Sequence, residues 1–188
     1  MKTIVITGAA HGLGKALAKR YKDHCCILID RDEEALKRVA NDLNMTYFIA
    51  DIGDVESVEQ LTLQLNKEVD HIDVLINNAG LWISGHVSDM NQSKSKLNTY
   101  AYIHDVLNTN VFGMIAMIKG LFERLKDGII ININSQSGVV VEKDYPIYNA
   151  SKHATKAFTR AIQDDLASHQ IRITDIHPGL INTPFYDH

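Results

Sequence analysis

The sequence predicts an α/β fold, a doubly wound parallel sheet of about six strands with helices on both faces. Three observations carry that expectation. Six short β-rich runs recur along the 188 residues. Longer stretches with helical spacing separate them. A glycine-rich turn joins the first run directly to the first such stretch. Strand, helix, strand in repetition gives right-handed crossover units and parallel pairing.

The strands are read at K2-T-I-V-I-T7, C25-C-I-L-I-D30, T46-Y-F-I-A-D51, I72-D-V-L-I-N77, G128-I-I-I-N-I-N134 and I171-R-I-T-D-I-H177. Near-continuous apolar runs of this length suit strands covered on both faces. Helical stretches are read from Gly14 to Tyr21, Asp32 to Leu43, Asp54 to Val69 with Asp54 as N-cap, Tyr100 to Leu125, and Tyr148 to Ala167. The last carries Ala154, Ala157, Phe158, Ala161 and Ile162 at helical intervals. Leu81 to Thr99 has the weakest pattern and is read as an irregular insertion. No linker composition divides the chain, so residues 1–188 are taken as one domain.

Composition narrows the function classes. At 45% hydrophobic and 22% charged residues, the chain matches a soluble globular protein. A net charge of −4 without a basic block argues against a nucleic-acid surface. No stretch approaches membrane-span length, so no membrane partner and a cytoplasmic location are expected. The opening M1-K-T-I-V-I-T-G8 is too short an apolar run for a signal peptide and reads as a buried strand. Cys25 and Cys26 are adjacent and point to opposite sides of a strand, so no disulfide joins them. Nine histidines are scattered without metal-ligand spacing, so no metal site is expected.

The turn after the first strand is T7-G-A-A-H-G-L-G14, and a helix follows at once. Glycines let the backbone approach a ligand closely, and a helix N-terminus favours negative charge, so this is a phosphate-binding context. It is not a P-loop: the glycine required five before Gly14 is Ala9, and Ala16 stands where a magnesium-binding hydroxyl is needed. The second strand ends at Asp30, placed to accept hydrogen bonds from an adenosine ribose and to repel a 2′-phosphate. Arg31 beside it favours the opposite choice.

T7-G-A-A-H-G-L-G14, N77-N-A-G80, Asn110, Ser135 and Y148-N-A-S-K152 occur in order at strand ends and helices. Together they resemble the short-chain dehydrogenase/reductase family, of the small single-domain Rossmann type, from Met1 to about Thr183. The resemblance implies an NAD(P)(H)-dependent oxidoreductase acting on a small-molecule carbonyl/alcohol pair. It implies cofactor contacts from Gly8, His11, Gly12, Leu13 and Gly14 in the turn. Asp30 and Arg31 would lie at the adenosine ribose, Asp51 and Ile52 at the adenine, and Asn78, Ala79 and Gly80 beside the cofactor. Pro178, Gly179, Ile181 and Thr183 would belong to the segment closing over the nicotinamide. NAD(H) is favoured through Asp30, with NADP(H) left open.

The resemblance assigns the chemistry to Asn110, Ser135, Tyr148 and Lys152. A free tyrosine titrates at about pH 10 and is a poor base at neutral pH. An ammonium one helical turn away stabilises the phenolate, so Lys152, together with the positive charge of a nearby nicotinamide, is expected to lower the Tyr148 pKa. Tyr148 would then act as general acid/base, Ser135 would position the substrate oxygen, and Lys152 would also hold the nicotinamide ribose. Asn110 would support a water-mediated proton relay. Ser137 and Asn108 are the nearby competitors, and spacing to Gly138, Tyr148 and Gly113 favours Ser135 and Asn110.

Members of the family usually continue past the Pro-Gly segment with helical segments and a seventh strand. The sequence stops at His188, so the C-terminal part of that fold is expected to be missing. That leaves a second reading: a non-catalytic NAD(H)-binding regulatory or interaction protein. In the family the two long helices pair between subunits, which implies a homodimer or homotetramer.

Overall fold

The six β-rich runs form one sheet, and every strand pairing in it is parallel. The computed structural model describes residues 1–85 and 100–186. The strands are β1 (Thr3–Thr7), β2 (Cys25–Asp30), β3 (Thr46–Ile49), β4 (Val74–Asn77), β5 (Ile129–Ile133) and β6 (Arg172–Ile176). Their order is β3-β2-β1-β4-β5-β6. The pairs are set in register, with Val5 opposite Ile27 and Leu75, and Ile131 opposite Ile76 and Thr174. Chain order reverses between β1 and β4, the switch point where doubly wound sheets open a crevice at their carboxyl ends.

Alternation along the strands divides the core in two. Val5, Ile27, Ile29, Leu75 and Ile130 face helices α3 (Val55–Glu68), α5 (Met114–Leu121) and α6 (Pro146–Ser168), represented by Leu61, Leu65, Met117, Leu121 and Leu166. Ile4, Ile6, Leu28 and Ile76 face α1 (Gly12–Arg20) and α2 (Glu33–Leu43), through Ala18, Leu36 and Val39. All these residues are buried, so apolar burial on both faces is the main stabilising contribution. β1, β2 and β4 are covered almost throughout, while β3 and β6 are partly exposed edges.

Local signals account for the helix ends. Asp54 Oδ1 accepts from Glu56 N at 3.2 Å, the cap expected from sequence. Asp32 Oδ1 accepts from Ala35 N at 3.0 Å at the head of α2. Asn44, at φ 53°, closes α2 in the left-handed conformation. Cys25 is exposed, Cys26 is buried, and both are free thiols.

One expectation is corrected. The stretch from Tyr100 to Leu125 is not a single α-helix. α4 (Tyr100–Leu107) runs into a π-helical turn at Asn108–Gly113, then α5, then a 3₁₀ turn at Phe122–Arg124. Gly113 explains part of this: a Cβ there would lie 1.9 Å from the Ile52 carbonyl oxygen. The helix backbone is pressed against the loop after β3, and the widened turn aims Asn110 inward. The insertion read from Leu81 to Thr99 is described only through Gly85, and its remainder, 86–99, lies outside the described residues.

Candidate active site

The glycine turn is held from three sides. Gly8 and Gly12 have φ of 66° and 48°, conformations that tolerate no side chain without strain. Thr7 Oγ1 accepts from both Asn78 N and Ala79 N at 3.0 Å. The Asn78 side chain donates to Thr7 O and Gly8 O, both at 3.0 Å. Asp30 Oδ2 accepts from Ala10 N at 2.9 Å, and its Oδ1 accepts from Asp32 N at 3.0 Å. The Asp30 carboxylate thus braces the turn as well as facing the cleft.

Gly14 has a different position from that expected. It packs behind the turn, where a Cβ would lie 2.0 Å from Gly8 O, and it does not line the cleft. His11 precedes α1 without a side-chain cap, and the first turn of α1 carries no acidic residue. An uncapped helix N-terminus therefore opens toward Gly8 and Gly12, which suits an anionic group.

The cleft lies over the carboxyl ends of the strands and has a volume of about 410 Å³. Gly8, His11, Gly12, Leu13, Asp30, Arg31, Asp51, Ile52, Asn78, Ala79, Gly80, Ser135, Tyr148, Lys152, Pro178, Gly179, Ile181 and Thr183 all line it. Residues separated by more than a hundred positions are therefore brought to one surface by the sheet. Two exposed ion pairs flank it: His11 Nε2 to Asp32 Oδ2 at 2.8 Å, and Arg31 Nη1 to Asp51 Oδ2 at 3.2 Å. Asp32 is held below the usual carboxylate range by the Ala35 amide and by His11.

Asn110 lies inside, 3% exposed, and does not line the cleft. Its Oδ1 accepts from Leu81 N at 2.7 Å, while Nδ2 donates to Leu81 O at 2.8 Å and Ser151 Oγ at 3.0 Å. Ser151 in turn donates to Tyr148 O at 2.8 Å. The asparagine side chain clamps the segment after β4 to α6. Its own backbone carbonyl accepts from Thr155 Oγ1 at 3.1 Å.

Tyr148 and Lys152 share one turn of α6, with the ammonium nitrogen 5.7 Å from the phenol ring centroid. Lys152 Nζ donates to Ile133 O at 3.0 Å. The chain's own groups do not depress the phenol, so any lowering falls to the nicotinamide charge that the expectation also invoked. Burial pushes Tyr148 up to about 12, and the Ser135 hydroxyl beside it only partly offsets this. Burial likewise pulls Lys152 down to about 8, opposed by the charge of Asp175. Helical spacing alone could not show that desolvation would dominate both groups. Ser135 Oγ also accepts from Ser137 N at 3.1 Å, which fixes its rotamer.

Several lining residues were not anticipated from sequence. Asn134, buried beside Ser135, donates from Nδ2 to Lys152 O at 3.1 Å. Its polarity inside the run I-I-I-N-I-N was the available signal. Phe185 and Tyr186, in a 3₁₀ turn at Pro184–Tyr186, also line the cleft. The Phe185 ring lies 6.3 Å from that of Tyr148, and Tyr186 packs on Phe185 at 5.3 Å. Trp82 packs against Tyr145 at 5.5 Å and Tyr186 at 5.3 Å, forming an aromatic rim.

Comparison with known proteins agrees with this geometry. The profile of the short chain dehydrogenase family matches residues 2–188. The chain is 32% identical to the dehydrogenase/reductase SDR family member 7B of Xenopus laevis, covering 96% of this chain and 58% of the frog protein. It therefore spans less than two thirds of that relative's length. It is also 32% identical to an NADP-dependent 3-hydroxy acid dehydrogenase of Schizosaccharomyces pombe, covering 98% of this chain and 73% of that protein. A short-chain dehydrogenase/reductase from Burkholderia phymatum, solved in complex with NAD, superimposes with a TM-score of 0.89. That match is 25% identical and covers 99% of this chain and 68% of the other. An alcohol dehydrogenase from Thermococcus sibiricus, complexed with 5-hydroxy-NADP, has the same TM-score and identity over 98% of this chain and 79% of its own. The six-stranded parallel sheet, the glycine turn and the family profile agree: the chain belongs to the short-chain dehydrogenase/reductase family.

Proposed function

We propose that the chain is an NAD(P)(H)-dependent oxidoreductase that transfers a hydride between a nicotinamide and a small-molecule carbonyl/alcohol pair. The observation that carries this reading is the convergence of Ser135, Tyr148 and Lys152 at the strand carboxyl ends, in a cleft continuous with the glycine turn. The residues present fit a dinucleotide. Gly8, Gly12 and the uncapped head of α1 form a cradle for a pyrophosphate, and Asp30 faces the position for a ribose. Once bound, the cofactor would supply or accept the hydride.

The chain's own groups handle the proton. Ser135 holds the substrate oxygen against the Tyr148 hydroxyl. Tyr148, protonated throughout the neutral range, gives its proton to an oxygen gaining negative charge. The resting site is thus set for carbonyl reduction. Oxidation needs the phenolate, which requires added positive charge near the ring, and the Lys152 ammonium is one source. Lys152 also stands within reach of a nicotinamide ribose.

NAD(H) is the favoured cofactor because the Asp30 carboxylate repels a 2′-phosphate. Arg31 and His11, the cationic candidates for binding one, are already paired with Asp51 and Asp32. The reading extends to one domain acting in the cytoplasm as a homodimer or homotetramer. No helix among the described residues is long and apolar enough to cross a membrane.

Calorimetric titration with NADH and NADPH tests the reading, followed by turnover on a carbonyl panel with Tyr148→Phe. The expectation is tighter NADH binding, unchanged in Tyr148→Phe, with turnover reduced on the order of 10²–10⁴-fold. Failure to bind either nucleotide overturns the proposal. Tight NADH binding without turnover on any carbonyl replaces it with a nucleotide-binding role.

A further inference from the structure

We propose that Asp175, buried beneath the Ser135, Tyr148 and Lys152 group, is a positioning residue. It holds Asn134, which in turn holds the α6 turn of Lys152, and it lies beside the His177 ring that supports Ser135. The inference rests on the oxidoreductase reading for its purpose, though not for its geometry. Asp175 lies in β6 with its side chain only 7% exposed, and it does not line the main cleft. It touches neither substrate nor cofactor space.

A donor chain converges on this carboxylate. Asn77 Nδ2 donates to Asn132 Oδ1 at 2.9 Å, Asn132 Nδ2 donates to Thr159 Oγ1 at 2.9 Å, and Thr159 Oγ1 donates to Asp175 Oδ1 at 2.8 Å. Every proton points the same way, across β4, β5 and α6 to β6. Such a chain is favourable when an anion terminates it. Asn77, Asn132 and Thr159 are all buried.

The other carboxylate oxygen reaches the site. Asn134 Nδ2 donates to Asp175 Oδ2 at 3.5 Å and to Lys152 O at 3.1 Å. Both partners are acceptors, so only the NH₂ of the amide can face them. A flipped amide would set its oxygen against the carboxylate. Asp175 therefore fixes Asn134, and Asn134 fixes the turn of α6 that carries Lys152. On the second arm, His177 Nδ1 donates to Ser135 O at 2.9 Å, while its Nε2 lies 4.0 Å from Asp175 Oδ2.

Charge completes the argument. Lys152 is buried, and the negative charge of Asp175 acts on it. Asp175 itself lines a second cleft of about 360 Å³, together with Lys156 and Arg160 from α6 and with His177. Lys156 and Arg160 lie in that open cleft, where solvent screens their charges. Lys152 does not, so the carboxylate acts on it through a poorly screening interior. An ammonium is the form of Lys152 that can stabilise a phenolate, and Asp175 favours that form.

The test is the titration of Lys152 in cofactor-free protein, followed by NMR of ¹³C-labelled lysine ε-carbons and assigned by loss of the signal in Lys152→Met. The wild-type signal is expected to titrate near pH 8. Asp175→Asn and Asp175→Ser both remove the charge but pack differently, and both should titrate lower by on the order of one pH unit. Thr159→Val removes a hydrogen bond but keeps the charge, and should stay with the wild type. An unchanged midpoint in the Asp175 variants, or an equal displacement in Thr159→Val, overturns the assignment. Failure of both Asp175 variants to fold overturns it in favour of a purely structural carboxylate. The readout needs neither nucleotide nor turnover, so a wild type that binds no nicotinamide sinks the proposed function and leaves this question decidable.

Discussion

Burial of Lys152 should make the stability of this protein rise with pH over a defined window. In the unfolded chain the lysine keeps its proton to about 10.5, whereas in the native structure it loses it at about 8. Between those values the unfolded state binds more protons, so the free energy of unfolding increases with pH. Below pH 8 the native state carries a buried ammonium and bears its full desolvation cost. Integrated from pH 7 to pH 10, the lysine contributes about 2–3 kcal/mol of added stability. Lys152→Met fills similar volume without a charge. It also loses the hydrogen bond to Ile133 O, a cost of about 1 kcal/mol that does not depend on pH. The assay is urea unfolding of both proteins at closely spaced pH values from 7 to 10. The wild type should gain on the variant by about 2–3 kcal/mol across the range. Stopping at pH 10 keeps Tyr148 out of the comparison. Its phenol is raised to about 12, so its contribution has the opposite sign and is lost as pH rises through that value. Parallel stability curves for the two proteins would refute the reasoning, because they would mean that Lys152 has the same pKa folded and unfolded.

Two further outcomes follow from the glycine turn. Gly14→Ala lies inside α1, where helix propensity alone predicts a gain of about 1 kcal/mol. The structure reverses the sign: the new Cβ would lie 2.0 Å from Gly8 O and 2.7 Å from Asn78 Nδ2, so backbone must move. A loss of about 2–3 kcal/mol in urea unfolding is expected, with NADH affinity reduced at least about tenfold; equal or higher stability would contradict the close approach. Asp30→Asn leaves one of two backbone amides, Ala10 N or Asp32 N, facing an NH₂ group. Stability should fall by about 1–3 kcal/mol, and the preference for NADH over NADPH should narrow, as read by titration of both nucleotides. An unchanged preference would remove Asp30 from cofactor selection.

Hydrophobic periodicity made the sheet legible because burial on two faces leaves continuous apolar runs that little else produces. The runs ending at Thr7, Asp30 and Asn77 each end within a residue of the observed strand. The cleft was legible for a related reason: glycines and polar residues at strand carboxyl ends must meet once the strands lie parallel. Periodicity failed where the backbone departs from the 3.6-residue α repeat. Nothing in L107-N-T-N-V-F-G113 distinguishes a π turn from an α turn except a glycine whose need appears only when Ile52 O is seen against it. It failed again on charge, since spacing placed Tyr148 beside Lys152 but could not show that both would be dry.

The residues that went unread share a property. Asn132, Asn134, Thr159 and Asp175 are each polar in a setting that calls for apolar ones, on strands or on the buried side of α6. Each looks like a local fault in its own segment. A buried unpaired polar group costs roughly 1–3 kcal/mol, so four such faults would be a heavy burden on a marginally stable fold. They are tolerated because most of their polar atoms find partners in one another, at separations of 16 to 41 residues, with Asn134 Oδ1 left over. A polar residue interrupting an apolar run is therefore evidence that a partner exists elsewhere in the sequence. Here the partners converge behind Lys152, where an uncompensated lysine would otherwise tend to lose the charge that the proposed chemistry uses.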